Sequence, residues 1–295
     1  MPRSITRYVV MLGVLVAAVS VATPMAFGVQ LRIAGLAQAA AGAAMLVCCS
    51  ALALNGSRPV AMPGRRVIPA VLATSAANAI TPAGVGGTLL IMRIHRRSGL
   101  TAEQATAAAA LRTGVGAATA AAVTAVVAAT VGFNAMPSGH LGLIVGSIAL
   151  VALGVVAIAM PITRRRTITA VVRTAAAVWD VVRRPKCCAA LVVGCLGVTL
   201  AQLLTLQGAV HAVGGHIPWV ELLVALMGSA AARSALPMPG GVGPVEAALV
   251  AGLTAVGMSW EAAASAVAVY RTAGHWLPVL AGALSIRELR RRQLL

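Results

Sequence analysis

Arg112, Arg233 and Arg271 stand in apolar surroundings, apart from the chain's basic clusters, and Glu103, Glu246, Glu261 and His275 share the same stretches. These residue types suit the handling of an anion: a guanidinium holds phosphate through two parallel hydrogen bonds, and a carboxylate can hold the guanidinium. Glu103 precedes Arg112 by nine residues and Glu261 precedes Arg271 by ten. On a helix each arginine then lies about 14 Å from its glutamate, near the middle of a hydrocarbon layer about 30 Å thick. A charge at that depth costs at least about 2.5–3.5 kcal/mol, so these groups are expected to face an interior cavity and to pair. Glu246 is the expected counter-ion of Arg233 or Arg271, while Glu103 and Glu261 are expected to help hold the arginines. Glu246 and His275, one turn beyond Arg271, are candidates for exchanging a proton. The competing reading is an ion-pair network that serves structure alone.

The elements that must position these groups follow from composition. Of 295 residues, 60% are hydrophobic and only 10% charged, against roughly 25% charged in a soluble domain. Mean hydropathy is +0.94. A soluble fold of this size would expose apolar patches that aggregate, so lipid is the expected solvent. The net charge of +17 would suggest nucleic acid in a soluble protein. Here the basic residues are nearly all arginines, grouped at Arg3–Arg7, Arg58–Arg66, Arg93–Arg97, Arg164–Lys186 and Arg287–Arg292. Short basic loops between apolar spans mark the cytoplasmic side, and nucleic acid is excluded as a partner.

Uninterrupted apolar stretches run over Tyr8–Val29, Ile33–Leu54, Glu103–Val131, His140–Met160, Cys187–Val210 and Glu261–Ile286. The first resembles a signal peptide but is read as a retained helix, since further spans follow. Two more apolar regions, Val67–Ile94 and Trp219–Met258, are cut by Thr81–Gly87 and Pro237–Pro244. Proline removes a backbone donor and glycine favours non-helical turns, so each region is expected to form two half-helices around a loop. With both termini in the cytoplasm, six crossings and two re-entrant hairpins put every basic cluster on one side. The expected fold is an all-α polytopic membrane protein forming a single domain over 1–295. Residues 164–186 read as an amphipathic helix on the inner leaflet.

The two broken regions repeat. Gly84-Val85-Gly86 recurs as Gly241-Val242-Gly243, Gly99 as Gly257, Glu103 as Glu261 and Arg112 as Arg271, at offsets of 157 to 159. The repeats are expected over 33–132, with its hairpin at 67–97, and over 187–286, with its hairpin at 219–258. Three crossings separate them, so they should be inverted, an arrangement secondary transporters use to bring half-helix ends together in mid-bilayer.

From Pro237 onward the segment PMPGGVGPVE, followed by an alanine-rich helix with Tyr270-Arg271 and then Trp276-Leu277-Pro278, resembles the C-terminal signature of the lysylphosphatidylglycerol synthase transmembrane-region family. Pro239, Gly240, Gly241, Gly243, Glu246, Tyr270, Arg271, Trp276 and Pro278 occupy the motif positions. The first hairpin, with Pro82, Gly84, Gly86 and later Arg112, is similar to the family's upstream Thr-Pro-Gly-rich hairpin. The resemblance covers about residues 70–284 and implies kinship with the lipid-flipping half of these synthases. No aminoacyl-transferase domain follows Leu295, so synthase activity is expected to be absent. The first hairpin has no counterpart of Glu246.

Pro137-Ser138-Gly139-His140 spells the central motif of lipid phosphatases, but the lysine- and aspartate-bearing segments that chemistry needs are missing: Lys186 and Asp180 are the sole lysine and aspartate. The five cysteines lack metal-ligand spacing and read as small apolar residues. No metal, cofactor or nucleotide motif is expected. The favoured function is a cell-membrane transporter for an anionic phospholipid or polyprenyl-linked intermediate, with its head group bound by arginines at the hairpin tips. The alternatives are a membrane enzyme or subunit transferring a group from a lipid carrier, and a scaffold for a cytoplasmic or membrane enzyme partner.

Overall fold

The computed structural model describes residues 22–58, 62–81, 85–131, 176, 178–236 and 238–291. The expected span His140–Met160, most of Tyr8–Val29 and most of the basic segment 164–186 lie outside the described residues, as do the Pro137–His140 motif, Pro82 and Gly84.

Every regular element among the described residues is helical. In chain order they are α1 (Ile33–Gly56), α2 (Gly64–Ala79), α3 (Val85–Arg97), α4 (Ala102–Val131), α5 (Pro185–Ala212), α6 (Trp219–Ala235), α7 (Pro244–Ala255), α8 (Trp260–Arg271) and α9 (Leu277–Arg291). Among the described residues, three helices are long and apolar enough to cross a membrane: Ile33–Gly56, Ala102–Val126 and Pro185–Ala212. The breaks expected from proline and glycine separate α2 from α3 and α6 from α7.

The tightest packing joins α1 to α5, and small residues make it possible. Gly35 faces the backbone of Ala212, Gly208 that of Ala39, Gly42 that of Thr205, Gly194 that of Ala53, and Gly56 that of Leu191. Ascending positions on α1 meet descending positions on α5, so the pair is antiparallel. On α1 the contacts fall at 35, 39, 42, 53 and 56, alternating steps of four and three wherever they are consecutive, which keeps one seam facing the partner. At those positions the backbones themselves touch, the device by which helices associate where lipid gives no hydrophobic advantage.

Two apolar cores flank this pair. One gathers α6, α7 and α8 with the C-terminal half of α5 around Leu222, Leu249, Leu253 and Ala266. The other gathers α2, α3 and α9 around Ala73, Ile94, Trp276 and Val279. The expected span Glu261–Ile286 therefore serves both cores. It is not one uniform helix: a π turn over Thr272–Trp276 divides α8 from α9. Pro278 cannot donate to the carbonyl four residues back and its ring crowds that carbonyl, and the wider turn relieves the conflict.

Local geometry repeats along the chain. At the end of α3 the Gly99 N–H donates to Arg96 O and the Leu100 N–H to His95 O; at the end of α7 Gly257 donates to Thr254 O and Met258 to Leu253 O. Both glycines have positive φ, 90° and 95°, so each helix ends in a Schellman turn. The next helix then starts on a hydroxyl, Thr101 accepting from Gln104 N–H and Ser259 from Ala262 N–H.

Candidate functional site: a locked hairpin tip and an arginine-lined cavity

The tip between α6 and α7 is built by glycines. Gly240, Gly241 and Gly243 hold φ of 64°, 66° and 95°, a region costly for residues bearing a Cβ. This lets the chain fold back within a few residues and start α7 at Pro244. Glu246, in the first turn of α7, accepts the Gly243 N–H on Oε2 at 2.8 Å. Its other oxygen accepts from Arg271 Nε at 2.6 Å. Arg271 is 3% exposed and donates from Nη2 to Gly240 O at 2.9 Å. One guanidinium thus ties the last residue of α8 to both the loop and the helix of the second hairpin. Tyr270 is buried beside it, and the indole of Trp276 lies 5.9 Å from its guanidinium carbon.

Arg233, exposed near the end of α6, runs along the same turn: a side chain on Gly241 would come within 3.4 Å of its Nε. On the far side, a side chain on Gly240 would come within 3.4 Å of Ala79 O and 3.5 Å of His275 Nε2. The second hairpin tip therefore abuts the end of α2, in the first hairpin. His275 Nε2 is buried there without a hydrogen-bond partner. The first tip is tied by its own polar groups, with the Gly86 N–H donating to Thr81 Oγ1 at 2.9 Å and Gly87 N–H to Asn78 Oδ1 at 2.8 Å. A side chain at Gly86 would strike Thr81.

Arg112 is elsewhere. It lines a cavity of about 350 Å³ walled by α1, α3, α4, α5 and α6, with Ser50, Thr88, Thr113, Thr199 and Gln202 supplying polar atoms. No carboxylate lines it. The three arginines expected at one site are therefore divided, Arg233 and Arg271 at the second hairpin tip and Arg112 in the cavity.

The two glutamates expected to hold arginines sit at helix starts. Glu103 is in the first turn of α4, and Glu261 is exposed in the first turn of α8. Each is nine or ten residues from its arginine on the same helix, about 14 Å by helical rise, out of reach of a side-chain contact. For Arg271 the holding carboxylate is Glu246. Acidic residues in a first turn instead favour the helix by facing its positive end.

Two buried basic residues were missed by sequence reasoning. Arg58, just after α1, and His95, in the last turn of α3, are 3% and 0% exposed. Burial and the positive charges of Arg58 and Arg112 push the His95 imidazole down to about 3. Helical spacing carried a signal for His95: it shares a face with Gly87, Ile91 and Ile94, while Arg93, Arg96 and Arg97 are exposed. Among the described residues no group of three or more histidine, cysteine or acidic side chains could hold a metal ion.

The family model described as lysylphosphatidylglycerol synthase TM region matches residues 4–282. No curated protein matches the chain.

Proposed function

The chain belongs to the lysylphosphatidylglycerol synthase TM region family, and from that premise we propose that it is a lipid transporter. It moves an anionic phospholipid or a polyprenyl-linked intermediate between the leaflets of the cell membrane. The observation that carries this reading is Arg112, an arginine lining a 350 Å³ cavity among five helices with no carboxylate in the lining. A half-buried cation facing a cavity without a carboxylate is costly, and a lipid phosphate is the anion a membrane supplies. Hydroxyl and amide groups from Thr88, Thr199 and Gln202 suit the oxygens of a head group, and the tails stay in the bilayer.

In this reading the chain has six crossings and two re-entrant hairpins, α2–α3 and α6–α7, with both termini in the cytoplasm. The repeats are α1–α4 and α5–α9, inverted relative to each other. The matching Schellman turns at Gly99 and Gly257, each followed by a hydroxyl-capped helix, support the equivalence. Arg271 and Glu246 lock the second tip, and the contact between Gly240 and the end of α2 is the place where the hairpins part to expose the cavity to the other leaflet. The chain acts without a group-transfer step of its own.

The test is a leaflet-exposure assay on purified protein in liposomes with head-group-labelled anionic lipid. Wild type speeds exchange and Arg112→Gln loses it while unfolding at the wild-type temperature. Exchange by the variant at the wild-type rate overturns the assignment. Chemical turnover of the labelled lipid in place of exchange points to the enzyme reading.

A further inference from the structure

Arg58 and His95 carry buried nitrogens with no hydrogen-bond partner. Arg58 follows the C-terminus of α1, and its Nε and Nη1 atoms are buried with no hydrogen-bond partner; both ring nitrogens of His95 are in the same state. Leu54, one turn before Arg58, and Ile94, beside His95, belong to one buried cluster, and the Arg58 charge acts on His95. The polar groups nearest in the chain are already engaged. Ser57 Oγ donates to Leu54 O at 2.9 Å, and the Asn55 amide spends its oxygen and nitrogen on the Met62 backbone.

Native proteins rarely leave buried donors unmet, least of all on a cation, because nothing returns the lost hydration. Structural burial of an arginine brings a carboxylate or carbonyls to it, as Glu246 and Gly240 are brought to Arg271. Nothing of the kind meets these two Arg58 atoms, and the charges that act on His95 are the bases Arg58 and Arg112. We propose that Arg58 and His95 form a phosphate-binding site at the ends of α1 and α3, next to the Arg112 cavity. The Arg112 charge also reaches His95. A tetrahedral oxyanion fits better than a planar carboxylate, because the open donors lie on two atoms of the guanidinium and on a ring from a different helix. Oxygens pointing in several directions can meet them together. The exposed Arg93, Arg96 and Arg97 on the same turns of α3 add a positive field that draws anions toward the site.

The phosphate can belong to a lipid head group or be free in solution, and the site does not depend on the transport reading. The test uses the full chain in nanodiscs of phosphatidylcholine and follows thermal unfolding during titration with inorganic phosphate against chloride at equal ionic strength. A second series replaces part of the lipid with phosphatidic acid. Wild type is stabilised in a saturable way. Arg58→Gln and His95→Gln each weaken the apparent affinity tenfold or more, and Arg112→Gln weakens it by less than either. Saturation by inorganic phosphate in zwitterionic discs identifies a soluble ligand; stabilisation by phosphatidic acid alone identifies a head group. Should Arg58→Gln fail to fold, His95→Gln and Arg58→Lys carry the comparison. The proposal is overturned if neither probe stabilises the wild type, or if the Arg58 and His95 variants respond as the wild type does. Lipid exchange is scored separately through Arg112, so failure of transport and failure of this site give different results.

Discussion

Arg271 Nε donates to Glu246 Oε1 at 2.6 Å across 25 residues of sequence, joining α8 to α7. The pair is asymmetric: the arginine side chain is 4% exposed and the carboxylate 31%. Glu246 also fixes the start of its own helix through the Gly243 N–H, so one carboxylate orders the loop and neutralises the buried cation at once.

Removing the carboxylate therefore does more harm than removing both partners. Breaking a buried pair by deleting one partner costs about 3–5 kcal/mol, because the remaining charge stays buried. Partial exposure of Glu246 puts Glu246→Gln near the lower end of that range. The double variant Glu246→Gln, Arg271→Gln recovers part of the loss, and thermal unfolding of the four forms in one detergent checks it. A double variant as unstable as the sum of the singles would mean that the pair is not the source of the effect.

The seam between α1 and α5 predicts a sharp size limit. A side chain at Gly208 would meet the backbone of Ala39, and one at Gly42 the backbone and hydroxyl of Thr205. Overpacking a close-packed interior costs about 1–3 kcal/mol, and backbone cannot give way as a side chain does. Gly208→Leu and Gly42→Leu are expected to lose folded monomer on size exclusion. Gly114→Ala, which meets nothing within 4 Å, is expected to match wild type or exceed it, since alanine favours a helix over glycine by about 0.5–1 kcal/mol.

How much of this was legible follows from the range of the interactions. The breaks at Thr81–Gly87 and Pro237–Pro244 were readable because proline and glycine act on their own backbone. Glu246 was readable as a counter-ion, but the choice of Arg271 over Arg233 depends on how α8 crosses the tip, which spacing does not encode. The placement of Arg112 apart from Arg271 was hidden for a related reason. The repeat gives the two arginines equivalent positions in sequence, while α8 packs on α7 and α4 on α3 beside the α5 they share. The π turn after Arg271 was foreshadowed by Pro278 alone. Arg58 was hidden by its own neighbours, since a buried arginine beside Arg65 and Arg66 reads as one more charge in a basic loop.

Conformation at the second tip sets a different limit. Gly243 has φ of 95° with open space around its Cβ position, so an alanine there meets backbone strain alone. A residue forced into such a region costs about 1–3 kcal/mol. Gly240→Ala carries the same kind of strain at φ 64° and also approaches Ala79 O and His275 Nε2. Gly240→Ala is thus expected to lower the unfolding temperature at least as much as Gly243→Ala. Cysteine cross-linking between the two hairpin tips should fall in Gly240→Ala alone; equal cross-linking in both would remove any role for the contact.

His95 gives the chain an acid sensitivity whose sign is fixed. Burial first, and then the charges of Arg58 just after α1 and of Arg112 on α4, push its folded-state pKa from the usual 6.5 down to about 3. The unfolded chain therefore binds a proton that the folded chain refuses between those two values. Stability from this group is complete above about pH 6.5 and is lost as pH falls toward 3, following the linkage between proton uptake and unfolding. His95→Gln removes the titration, so the gap between variant and wild type should change by several degrees in unfolding temperature between pH 7.5 and pH 4.5. Phosphate should narrow the wild-type loss, because an oxyanion beside Arg58 offsets the charge that keeps His95 neutral. A constant gap across the range would mean that His95 titrates alike in the folded and unfolded chain.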